Sequence, residues 1–135
     1  MTTARPFLMF QGNAKEAIDY YVENFDFVEL RALEIYREGE GGKPGTVKSA
    51  LLKIDGIEYY VKDSPIEQSF DFTPSFSIFV TADNIFEQEQ IFNKLKRKGM
   101  IIMPNGEYGF SRAYGWCVDQ FGLSWQVSVK DDIIH

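Results

Sequence analysis

Gly56-Ile57-Glu58-Tyr59-Tyr60-Val61 and Gly122-Leu123-Ser124-Trp125-Gln126-Val127 are the stretches whose reading decides the fold. Laid glycine on glycine, they run to the closing valine without a gap. Ile57 meets Leu123, Tyr59 meets Trp125, Tyr60 meets Gln126 and Val61 meets Val127. Each begins on a turn glycine and continues as a run of β-forming residues, the signature of a hairpin's return strand. Identity is slight, so the match is one of pattern. A pattern that recurs at this distance predicts a duplicated supersecondary unit.

The flanking residues extend the repeat. In the first half, Asp55-Gly56 is a strong hairpin signal between a strand at 47–54 and its return at 57–62. Residues 27–36 are rich in β-formers, and 7–11 form a short apolar strand that Gly12-Asn13 breaks. Asn13 is a good helix N-cap, with Glu16 three residues on as in a capping box. Ala14, Ala17, Ile18, Tyr21 and Phe25 then follow helical spacing. This half reads β-α-β-β-β.

The second half reads the same way. A strand at 75–81 leads to Asp83 as N-cap, and Ile85, Phe92 and Leu95 mark one helix face. Gly99 stops that helix in the C′ position. Strands follow at 100–103, 113–118 and 123–129; Asn105-Gly106 and Gly109 lie in a loop, and 119–122 is a turn whose Asp119 carboxylate bonds nearby backbone. Phe10-Gln11-Gly12-Asn13 lies over Val80-Thr81-Ala82-Asp83. The expectation is an α+β protein of one domain, 1–135. Module one spans about 5–63, a connector with two prolines 64–74, and module two about 75–130. Two such modules would pair their mixed sheets into a cup, and ligand sites favour such interfaces. Residues 38–45, rich in glycine and charge, read as a mobile loop, either disordered or a lid.

Composition narrows the function classes. The net charge of −6 opposes binding to phosphate backbones, so nucleic acid is not an expected partner. The basic run Lys94, Lys96, Arg97, Lys98 sits at the end of the predicted second helix, where it complements the dipole. No apolar run approaches membrane length, and no signal core follows the N-terminus. The single cysteine, Cys117, precludes an intrachain disulfide and suits a reducing cytoplasm. An aromatic share of 16% is high, as in a β-rich core or a lined pocket.

Residues 6–21, from Pro6-Phe7-Leu8-Met9-Phe10-Gln11 through Ala17-Ile18-Asp19-Tyr20-Tyr21, resemble the opening of the PhnB-like branch of the vicinal oxygen chelate superfamily. Gly115-Trp116-Cys117-Val118-Asp119-Gln120-Phe121-Gly122-Leu123-Ser124-Trp125-Gln126-Val127 resembles its closing signature. The resemblance covers nearly the whole chain, and the two motifs are specific in combination. It implies tandem βαβββ modules, a glyoxalase/bleomycin-resistance-like cupped sheet and a homodimer. Sequences of this branch often carry the label of a demethylubiquinone methyltransferase. Methyl transfer from S-adenosylmethionine normally uses a Gly-rich turn after a strand of a parallel sheet, and this chain has no such motif.

The superfamily's enzymes hold a divalent metal on the first and last strands of each module, through His, Glu or Gln. The matching positions here are Pro6 or Phe7, Tyr60, Ser75 or Phe76, and Gln126. One amide and one hydroxyl do not hold a transition metal firmly, and the only histidine, His135, is terminal. No metal or other cofactor is therefore expected. The leading expectation is a metal-independent small-molecule-binding protein with an aromatic or cationic ligand, sequestration as in bleomycin resistance being a family analogue. The alternative is a divalent-metal lyase, isomerase or dioxygenase. A third is a subunit whose cup only builds an oligomer interface.

Candidate pocket-lining residues are Phe10, Tyr60, Phe110, Trp116 and Gln126, with Gln126 and Tyr60 fixing ligand orientation. Gln126 is read as facing the cup, against the alternative of a solvated edge. Tyr60 is open between ligand contact and packing. Trp116 and Cys117 alternate, so one faces the cavity and the other a helix. Cys117 is read as an inert buried thiol rather than a nucleophile, since Arg112 is the only local cation. Segment 107–112 either closes over the pocket, with Arg112 meeting an anionic group, or is a solvated hairpin end.

Overall fold

In a computed structural model that describes residues 1–130, strand β3 (Val47–Ile54) turns back into β4 (Ile57–Asp63) through Asp55 and Gly56, at φ 45° and 82°. Two successive positive φ values are what a two-residue turn matched to strand twist demands. Strand β1 (Phe7–Phe10) precedes helix α1 (Ala14–Asn24), and β2 (Val28–Ile35) follows it. β4 pairs antiparallel with β3 on one side and parallel with β1 on the other, so the sheet order is β1-β4-β3-β2. A parallel pair cannot be joined by a tight turn, and α1 with β2 and β3 supplies the crossover. The second unit repeats this with β5 (Ser77–Ala82), α2 (Ile85–Lys96), β6 (Met100–Tyr108), β7 (Ser111–Val118) and β8 (Ser124–Val129). Its order is β5-β8-β7-β6, with β5 parallel to β8. The chain divides into two compact units, one of Met1–Asp71 and one beginning at Phe72. The duplicated βαβββ pattern and the α+β class are therefore as the sequence indicates.

Each sheet is covered on one face by its own helix. α1 rests on β2, β3 and β4 through Ala14, Ala17, Ile18 and Tyr21, all buried. Leu8, Val61, Ala50 and Leu52 are the buried sheet positions. α2 rests on β5 to β8 through Gln88, Ile91, Phe92 and Leu95; Ile85, expected on this face, is exposed. Gly115 lies under the helix, where an added Cβ would come within 2.5 Å of the Phe92 ring. No helix among the described residues is long and apolar enough to cross a membrane.

Several local expectations are corrected by longer-range partners. Asn13 makes no side-chain cap bond. The buried Asp63 carboxylate caps α1 instead, accepting from Gly12 N at 2.7 Å and Ala14 N at 3.1 Å, while its second oxygen accepts from Val47 N at 2.8 Å. Asn84 rather than Asp83 caps α2, accepting from Glu87 N at 2.8 Å. Lys98, at φ 59°, takes the left-handed position expected of Gly99. Gly99 is required for close approach, since a Cβ there would sit 2.2 Å from the Val118 carbonyl oxygen. Asn105-Gly106 is not a loop but lies inside β6, because Asn105 exchanges amide hydrogen bonds with the buried Gln88 of α2. Loop 38–45 holds turn bonds, among them Glu40 N to Arg37 O and Gly45 N to Tyr36 O.

Removing Asp63 strands three backbone donors, two buried or nearly so, whereas Asn84 caps a helix end in contact with water. Asp63→Ala is expected to cost about 3–5 kcal/mol and Asn84→Ala about 1 kcal/mol. Urea unfolding followed by circular dichroism compares the two; an Asp63 variant no more destabilised than Asn84→Ala would contradict the account.

Candidate functional site

Strand alternation places the candidate residues. On β8, Trp125 and Val127 are fully buried, so Ser124, Gln126 and Ser128 point to the face opposite α2. On β7, Cys117 is buried and Gly115 meets Phe92 of the helix, so Tyr114 and Trp116 share the face of Gln126. The register sets Phe79 of β5 and Trp116 of β7 on either side of Gln126, with Met103 of β6 beyond Trp116. Phe79 is 58% exposed, and Trp116 and Gln126 are part-buried. An amide thus stands between two aromatic side chains on the helix-free face of the second unit.

The polar groups of this face are tied to one another. Tyr114 Oη donates to Gln126 Oε1 at 2.5 Å. Trp116 Nε1 donates to Ser124 Oγ at 2.8 Å, and Ser124 Oγ pairs with Ser77 Oγ at 2.7 Å. Burial, and secondarily the Tyr108 phenol nearby, pushes the Tyr114 hydroxyl above its ordinary range, so it is a protonated donor at neutral pH. Tyr108 stacks on Phe110 with centroids 5.6 Å apart, and Phe110 meets the Tyr114 ring edge-on at 4.9 Å. Two rings, Tyr108 and Phe110, therefore pack against the Tyr114 ring at the β6–β7 hairpin. Arg112 is engaged with the Lys130 carbonyl oxygen at 3.0 Å.

Of the five lining candidates, Phe110, Trp116 and Gln126 fall together on this face. Tyr60 is the equivalent of Gln126 on the helix-free face of the first unit, in register with Phe7 and Leu51. It is 43% exposed and lies 5.6 Å beneath the Arg5 guanidinium, which is paired with Glu58 at 2.9 Å. Phe10 is corrected. It is 3% exposed and shares the helix-covered face with Leu8, so it is core. Tyr114 was missed, although its place two residues before Trp116 puts it on the same face.

The superfamily's metal positions can be tested on this register. Gln126 has Phe79 rather than Ser75 or Phe76 beside it; both precede β5, and Ser75 Oγ bonds Thr73 Oγ1 at 2.6 Å. In the first unit Phe7 stands beside Tyr60. The oxygen of Gln126, the atom that would face a cation, is taken by the Tyr114 hydroxyl. Aromatic neighbours and one engaged amide do not fit a transition ion. Among the described residues no three His, Cys, Asp or Glu side chains cluster, and His135 lies outside the described residues.

Cys117 is fully buried on the helix side, and burial pushes its thiol up to about 12, with the Asp119 carboxylate adding to the rise and Lys96 opposing it. Asp119 accepts from Phe121 N, Leu123 N and Trp125 Nε1, the turn role expected of it. Folding favours the neutral thiol, so its contribution to stability is intact below the ordinary thiol range and fades as pH rises toward about 12. At pH about 8 a disulfide-exchange reagent should modify native Cys117 on the order of a thousandfold more slowly than in urea-unfolded chain. Comparable rates would show a reactive thiol.

The family described as 3-demethylubiquinone-9 3-methyltransferase matches residues 2–128. A PhnB protein from Bacillus cereus is 39% identical and superposes with a TM-score of 0.90, over 95% of this chain and 99% of that one. Protein YjdN of Escherichia coli (strain K12) is 22% identical over 142 residues, 92% of each chain. A glyoxylase/bleomycin resistance protein/dioxygenase domain from Frankia sp. EAN1pec, 10% identical with a TM-score of 0.63 over 96% of this chain and 92% of that one, shares the fold alone. With matches over nearly its whole length and two βαβββ units, this chain belongs to the family described as 3-demethylubiquinone-9 3-methyltransferase, PhnB-like proteins on a glyoxalase/bleomycin-resistance fold.

Proposed function

We propose that this chain binds a planar small molecule on the helix-free face of its second unit, without a metal. The observation that carries the reading is the row Phe79–Gln126–Trp116. Two aromatic side chains flank one amide on three adjacent strands, and Phe79 is largely open to solvent. Rings at this spacing present apolar area for a flat ligand, while the amide fixes its orientation. Phe110 extends the aromatic surface through Tyr114. A charge of −6 disfavours anionic ligands, leaving neutral or cationic planar molecules.

The family's name does not carry its reaction into this proposal. A methyl-donor site normally opens on a glycine-rich turn between a strand and a helix of a parallel sheet. Here the corresponding turn amides, Gly12 N and Ala14 N, are held by Asp63. The only parallel contacts among the described strands are β1 with β4 and β5 with β8. A cytoplasmic homodimer is part of the proposal. The exposed Phe7 and Tyr60, side by side on the helix-free face of the first unit, supply apolar area of the kind such interfaces bury.

Trp116 and Trp125 are the only tryptophans, and Trp125 is fully buried with its Nε1 on Asp119. A planar ligand on the proposed face should therefore change Trp116 emission and leave Trp125 unaffected. A screen of planar neutral and cationic compounds should yield saturable changes that Trp116→Phe abolishes, and Phe79→Ala should weaken binding about tenfold. A screen without saturable change, or one indifferent to Phe79→Ala, would refute the reading.

A further inference from the structure

We infer that the ligand of this face must present a hydrogen-bond acceptor, a neutral carbonyl on a planar ring system, because Tyr114 locks the Gln126 amide with its N–H groups outward. The inference deepens the planar-ligand reading and rests on it. A side-chain amide is ambivalent: one end accepts and the other donates, and a free glutamine can turn either toward a ligand. Gln126 does not have that freedom. Its contact with the Tyr114 hydroxyl is 2.5 Å, in the range of O–H···O bonds and well short of the N–H···O distance of about 2.9 Å. The oxygen is therefore the partner of the phenol, and the nitrogen is the other end.

Tyr114 is itself fixed. It is 4% exposed, it is held edge-on by Phe110 and Tyr108, and its proton is retained because burial disfavours the phenolate. Its hydroxyl has no other acceptor among the described residues, and it donates to Gln126 Oε1. Gln126 Nε2 is left with two hydrogens and no protein acceptor among the described residues, on a part-buried side chain between Phe79 and Trp116. A ligand lying on those rings that offers a donor or a cation to Nε2 leaves that nitrogen unsatisfied. One that offers a carbonyl oxygen completes it. Burying an unpaired amide donor costs enough to discriminate between isosteres that differ in one group. Tyr114 is thus a positioning residue for specificity rather than a ligand contact.

Fluorenone, carbazole and fluorene test this directly, being tricycles of nearly one shape that carry an acceptor, a donor and neither. Equilibrium dialysis against the full chain should give fluorenone an affinity about tenfold above fluorene, with carbazole no better than fluorene. Tyr114→Phe frees the amide to turn, so the fluorenone-to-carbazole ratio should collapse toward one while binding of fluorene stays within about twofold. Gln126→Glu keeps an acceptor for the Tyr114 hydroxyl, preserving the local packing, and removes both donors; fluorenone should lose its advantage. Equal binding of fluorenone and carbazole to the parent chain, or an unchanged ratio in both variants, overturns the inference and leaves the planar-ligand reading standing. Failure of all three tricycles to bind overturns the planar-ligand reading, and the inference with it.

Discussion

A single buried carboxylate organises the first unit. Asp63 stands at the end of β4, beside Phe10 of β1, and takes amides from the β1–α1 turn and from the first residue of β3. Those segments are far apart in sequence, and the chain must bring all of them to one point before any bond forms. Two of these amides, Ala14 N and Val47 N, would otherwise be buried donors without water. The carboxylate thereby sets where the helix begins, and hence which of its faces meets the sheet. The second unit reaches a similar end by other means. Its helix is capped by its own Asn84, and Gln88 ties α2 to Asn105 of β6 and to the Val127 carbonyl of β8. The repeat is one of topology, held by different polar anchors in its two copies.

That topology explains why each sheet has a face without a helix. Because the first and last strands of each unit run parallel, the crossover must pass over one face of the sheet, and the helix it carries covers that face. The opposite face has no helix, so side chains that alternate outward there have freedom that core residues lack. In the second unit those positions carry Phe79, Gln126, Trp116 and Tyr114; the Tyr114 hydroxyl bonds the Gln126 oxygen, and the Trp116 indole nitrogen bonds Ser124. The chemistry follows from the alternation: Cys117, one residue from Trp116, is buried beneath the helix and held neutral, while Trp116 is on the free side.

Much of the fold was legible because its signals are local. Asp55-Gly56 needs positive φ at both residues, and few sequences other than Asx-Gly supply it. The spacing of Ala14, Ala17, Ile18 and Tyr21 likewise declares its own buried stripe. The misreadings share a cause: the deciding partner lay elsewhere in the chain. Asn13 has the right chemistry for a cap but loses the position to Asp63. Asn105-Gly106 looks like a turn until Gln88 claims the amide. For the site, alternation shows that Trp116 and Cys117 diverge but not which of them meets a helix. Phe10 was assigned to the wrong face for that reason. Tyr114 was within reach, two residues from Trp116, but its bond to Gln126 crosses strands and depends on register.

The equivalence of Tyr60 and Gln126 bears on how such a chain diversifies. Both stand at one position of a duplicated unit, each on its own hydrogen-bonded sheet with its own core. In one copy the position is a phenol under an arginine that is itself paired; in the other it is an amide with open hydrogens. Mutational drift in one row need not disturb the pairing of the other sheet. The repeated topology thus presents two separately variable surfaces, and substitutions can accumulate on one while the other continues to meet the constraints of folding.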